Sequence, residues 1–95
     1  MNYKVNKIGI IGLGYVGLPV AIEFSKKYNV IGFDIDNVRV DELRKTIDRT
    51  NEANLEDLRE ALKGNLNNGN VGLFFSSNIS ELKGCNIFIV TVPTP

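Results

Sequence analysis

Apolar residues in this chain come in short unbroken runs, separated by stretches where they recur every third or fourth position. Residues 7–11 (KIGII) form the first run, the pattern of a strand buried on both faces. It ends at Gly12-Leu13-Gly14-Tyr15-Val16-Gly17. Val16, Val20 and Phe24 follow at helical spacing, and Lys26 and Lys27 close this helix near its negative end. Pro19 falls in the first turn, where its missing N–H costs no intrahelical bond. Asn29 marks a turn, and residues 30–33 (VIGF) read as a second buried-type strand ending at Asp34.

Asp36 or Asn37 is placed to cap a second helix with Val40, Leu43 and Ile47 as its buried stripe. A polar stretch, 48–53, leads to Asn54 and Asp57, which resemble a capping box. Leu55, Leu58, Ala61 and Leu62 make the third helix amphipathic, with Gly64 as its expected stop. After a loop at 65–70, Leu73-Phe74-Phe75 reads as a third strand and 79–83 as a short helical turn. Residues 86–92 (NIFIVTV) read as a fourth strand, more apolar than the others.

Strands alternating with helices predict an α/β fold with right-handed crossovers. The expected architecture is a partial Rossmann-type parallel sheet of about four strands, order 3-2-1-4, with flanking helices. An apolar strand so near Pro93-Thr94-Pro95 would be a bare sheet edge, which natural domains seldom leave uncovered. The expectation is that residues 1–95 are the N-terminal part of a dinucleotide-binding domain.

Composition narrows the function classes. The 95 residues carry no net formal charge, so no global field draws nucleic acid or an anionic membrane. A single cysteine permits no intrachain disulfide, and with no secretory stretch at the start a cytoplasmic protein is expected. No histidine is present, which removes the commonest general base and metal ligand, and no metal site is expected.

The chemistry lies in Gly12-x-Gly14-x-x-Gly17, where each glycine meets a separate demand. The first allows the tight turn out of the strand, the second lets a pyrophosphate approach the backbone, and the third lets helix pack on strand. The helix N-terminus then offers N–H groups and partial positive charge to a phosphate. An acidic residue, Asp34, ends the next strand about 20 residues on, as a dinucleotide fingerprint requires. Its carboxylate would accept the adenosine ribose hydroxyls and repel a 2′-phosphate, favouring NAD over NADP. The alternative for Asp34 is a helix cap. Arg39 belongs either near the adenosine edge or to a solvated helix face. Tyr15 either borders the cofactor or packs. Thr91 and Thr94 lie at the carboxyl end of the fourth strand, next to the switch point where such sheets bind ligands. Thr94 reads either as a contact to the cofactor's diphosphate or nicotinamide ribose or as a turn stabiliser. Cys85, at the mouth of the fourth strand with no histidine or cationic neighbour expected to activate it, reads as an inert buried or half-buried thiol in preference to a nucleophile.

Three motifs, G-L-G-Y-V-G-L-P-V-A at 12–21, G-F-D-I-D at 32–36 and V-T-V-P-T-P at 90–95, together resemble the N-terminus of the UDP-glucose/GDP-mannose dehydrogenases. The G-Y-V-G-L-P form and V-P-T-P ending are most similar to the branch that oxidises UDP-N-acetylhexosamines to uronic acids for capsule or surface polysaccharide. The resemblance implies NAD as cofactor, held by Gly12, Gly14, Tyr15, Val16, Gly17, Asp34, Arg39, Pro93 and Thr94. It implies a UDP-sugar substrate, two hydride transfers to two NAD through a cysteine-bound intermediate, and a homo-oligomeric full-length enzyme. The family's catalytic residues lie in later segments, so none is assigned here, Cys85 included. Val92 stands where other branches carry threonine before the proline, so a catalytic hydroxyl from this motif is not implied. Two competing readings are a stand-alone nucleotide-sensing module without catalysis and, more weakly, a flavoprotein N-terminus.

Overall fold

The computed structural model of the chain describes residues 7–14, 16–46, 55–67 and 71–91. Its elements are β1 (Ile8–Ile11), α1 (Gly17–Ser25), β2 (Asn29–Phe33), α2 (Asn37–Arg44), α3 (Leu55–Asn67), β3 (Gly72–Ser76), a 3-10 helix (Ile79–Gly84) and β4 (Ile87–Val90). All strand pairings are parallel, in the order β3-β2-β1-β4. The α/β class and the 3-2-1-4 order expected from the alternation are therefore observed. Val20 remains partly buried.

Alternating side chains divide the sheet into two faces. One face carries Ile8, Ile10, Val30, Leu73 and Phe75, packed against Leu18, Ala21 and Ile22 of α1, Val40 and Leu43 of α2, and Leu58 and Ala61 of α3. The other face carries Ile11, Ile31, Phe33 and Phe74, covered by Leu82 and Cys85 at the 3-10 helix. β4 lies at the sheet edge with Ile87, Phe88 and Val90 exposed, in contrast to the buried central strand β1.

Two local expectations are corrected. The buried face of α1 is Gly17, Leu18, Ala21, Ile22 and Ser25, while Val16 is 61% and Phe24 37% exposed. Gly17 causes this: its close approach to the preceding turn sets the helix rotation, and Val16 lies about 100° away around the axis. Gly64 does not stop α3, which continues to Asn67. A lone glycine in a helix costs only about 1 kcal/mol and does not force a left-handed cap. Between the two candidate caps of α2, Asp36 is the one used: its Oδ1 accepts from the N–H of Val38 at 3.0 Å and of Arg39 at 3.2 Å. α2 ends at Arg44, and Thr46 follows with φ 61°. Ile47 and the Asn54 cap lie outside the described residues.

Candidate cofactor site

The site is built where β1, β2 and β4 end together. Gly12 leaves β1 at φ 100°, and its N–H donates to the Phe33 carbonyl of β2 at 2.8 Å. A Cβ at Gly12 would lie 2.0 Å from the Thr91 carbonyl oxygen, so both dihedral and space demand glycine. A Cβ at Gly17 would lie 1.7 Å from the Gly12 carbonyl oxygen, which is the close helix-on-turn approach expected of the third glycine. Gly14 differs. It is exposed, and a Cβ there would meet nothing within 4 Å, so the turn leaves open space on its outer side. Val16 stands exposed at the N-cap of α1, whose first turn carries no acidic residue to oppose an anion.

Asp34 follows β2 and is half-buried. Its Oδ2 accepts from the Leu13 N–H at 3.0 Å, its Oδ1 accepts from the Asp36 N–H at 3.0 Å, and its own N–H donates to the Ser76 carbonyl at 3.1 Å. The carboxylate is thus oriented by two backbone donors beside the glycine turn, and the helix cap is made by its neighbour Asp36. The carboxylate oxygens have further acceptor capacity, which is what a ribose diol needs. Arg39 reaches back from α2, and its Nε donates to the Leu13 carbonyl at 2.9 Å. The structure therefore brings Gly12, Gly14, Val16, Gly17, Asp34 and Arg39 to one turn. Tyr15, Pro93 and Thr94 lie outside the described residues.

Thr91 was placed by sequence near this switch point, but its contact could not be read there. Its N–H donates to the Ile11 carbonyl at 2.8 Å, and its hydroxyl donates to the Gly12 carbonyl at 2.8 Å. Cys85 is buried, and burial pushes its thiol up from the ordinary value. Lys7 acts in the opposite direction, so the expectation of no cationic neighbour is corrected: residues 78 positions apart are brought together by the β1–β4 pairing. Burial dominates, and the thiol stays protonated at neutral pH. Among the described residues, no group of three or more metal-ligating side chains is found. No described helix is long and apolar enough to cross a membrane.

A helix N-terminus with no acidic residue in its first turn, an open glycine flank and an oriented carboxylate fit the adenosine diphosphate half of a dinucleotide. Comparison with known proteins agrees. Residues 6–95 match the family model described as UDP-glucose/GDP-mannose dehydrogenase family, NAD binding domain. The chain is 49% identical over 89 residues to a UDP-N-acetyl-D-glucosamine 6-dehydrogenase from Pseudomonas aeruginosa, covering 94% of this chain and 19% of that protein. It is 48% identical over 89 residues to a Salmonella typhi protein of the same name, again 94% of this chain and 19% of the relative. Among solved structures, a UDP-D-ManNAc dehydrogenase from Pyrococcus horikoshii superposes with a TM-score of 0.82 at 33% identity, covering 94% of this chain and 20% of that one. The chain thus spans about a fifth of the length of the relatives it matches.

Proposed function

From the premise that this chain belongs to the UDP-glucose/GDP-mannose dehydrogenase family, as its NAD-binding domain, we propose that it is the N-terminal cofactor half of a UDP-N-acetylhexosamine 6-dehydrogenase. The full-length protein would oxidise the sugar C6 alcohol to the carboxylate with two NAD, serving capsule or surface polysaccharide synthesis in the cytoplasm as a homo-oligomer. NAD, when bound, supplies the hydride acceptor. The observation that carries the reading is the oriented Asp34 carboxylate beside the open flank of Gly14, in a chain nearly half identical to two UDP-N-acetylglucosamine 6-dehydrogenases.

In this reading the N-terminus of α1, entered through Gly14 and Val16, binds the diphosphate, and Tyr15, Pro93 and Thr94 line the same cofactor. Asp34 takes the ribose hydroxyls, each charge-assisted bond contributing about 1.5–3 kcal/mol, and its charge disfavours a 2′-phosphate. Arg39 borders the adenosine while holding the Leu13 carbonyl. No catalytic group is assigned to this chain. Cys85 is buried with its thiol held protonated, the reverse of what a nucleophile needs.

The test is turnover by the full-length protein with UDP-N-acetylhexosamines and NAD. The expected product is a uronic acid with two NADH formed per sugar. NAD binding without any sugar-dependent NADH contradicts the dehydrogenase assignment and favours a nucleotide-sensing module.

A further inference from the structure

We propose that Thr91 is a positioning residue for the cofactor turn, acting through the Gly12–Leu13 peptide on Asp34; the inference rests on the NAD reading above. The Gly12 carbonyl and the Leu13 N–H are opposite ends of one planar unit, so neither turns without the other. The Thr91 hydroxyl donates to that carbonyl at 2.8 Å, and the Leu13 N–H donates to Asp34 Oδ2 at 3.0 Å. The plane is pinned at both ends, once from β4 and once from the end of β2. Asp36 holds the other carboxylate oxygen from its backbone N–H. Losing the Thr91 bond frees the peptide to tilt, and the carboxylate then loses a fixed donor on one oxygen.

Thr91 is itself held firmly. Its N–H bonds the Ile11 carbonyl, extending the register in which Ile11 pairs with Val90. The hydroxyl has one proton, and the Gly12 oxygen at 2.8 Å takes it in preference to the Ile11 oxygen at 3.3 Å. The hydroxyl also packs beneath the start of α1: a Cβ at Gly17 would lie 2.5 Å from it. One side chain therefore joins the end of β4 to the turn, to the helix N-terminus and, through a peptide, to the candidate ribose ligand.

The experiment compares Thr91→Val and Thr91→Ala, which remove the donor, with Thr91→Ser, which keeps it, in the full-length protein. NAD and ADP-ribose are titrated calorimetrically, melting temperature is recorded, and KM for the UDP-sugar is measured. Both donor-free variants are expected to weaken NAD and ADP-ribose about 3- to 10-fold, the worth of one neutral hydrogen bond. The serine variant should stay within about twofold of wild type on the same scale, with the sugar KM unchanged throughout. Wild-type affinity in Thr91→Val and Thr91→Ala overturns the inference, as does a serine variant as impaired as they are. Equal losses for cofactor and sugar, tracking a fall in melting temperature, also overturn it by showing general destabilisation. A wild-type protein that binds neither NAD nor ADP-ribose refutes the cofactor reading itself, and this inference with it.

Discussion

Gly14 and Gly17 are three residues apart in one motif, yet substitution at each should fail for a different reason. A side chain at Gly17 collides with the Gly12 carbonyl, whereas one at Gly14 projects into open space. Gly17→Ala is therefore expected to destabilise the fold by about 3 kcal/mol or more, measured by urea melting. Gly14→Val should leave the melt nearly unchanged and abolish NAD binding; retained binding on an intact fold would contradict the pyrophosphate geometry. Cys85 offers a pH test. Its folded thiol is raised by burial, so the stability it contributes is complete below the ordinary value of 9.0 and is lost as pH rises through the folded value. Alkylation of the native protein should accordingly be slow at neutral pH and accelerate only in alkali; fast labelling at pH 7 would contradict a protonated, buried thiol. The positions of the glycines and Asp34 were readable from spacing. Their partners were not, because Leu13, Asp36 and Thr91 act through the backbone or from a distant strand, which spacing does not encode.

At the level of elements, periodicity located each helix and strand among the described residues but did not show what orients them. The helical repeat of Val16, Val20 and Phe24 is real, but with Gly17 packed close on the turn only Val20 reaches the core, and Val16 and Phe24 are exposed. α3 runs through Gly64 to Asn67, because one weak helix former costs too little to stop a helix. α2 starts where its cap is strongest, at Asp36. Asp36→Ala is expected to cost about 1 kcal/mol of stability and to leave NAD affinity within about twofold, since Asp34 is bonded by the Asp36 backbone and not its side chain. Equilibrium unfolding alongside NAD titration checks both halves. At the other end of α2, Arg44 donates two bonds, at 3.2 and 2.7 Å, to the Phe75 carbonyl and stacks over Phe74, occupying part of the β3 edge.

At the scale of the molecule, and among the described residues, three helices cover one sheet face while a 3-10 helix covers part of the other, leaving Phe88 and Val90 exposed at the β4 edge. The strand order was readable because right-handed crossovers leave few alternatives. How incompletely the second face is covered was not, since it depends on which side each apolar residue takes. The 95-residue chain on its own is expected to self-associate through that edge, and Phe88→Lys should reduce its sedimentation-measured mass toward the monomer; an already monomeric wild type would contradict this. In the proposed reading one site, the glycine turn with Asp34, holds the adenosine half of NAD. Calorimetric titration of NAD into full-length wild type and Asp34→Ala tests it most directly. The variant is expected to bind NAD about 10- to 100-fold more weakly, from about 1.5–3 kcal/mol lost, and unchanged affinity would contradict the ribose assignment.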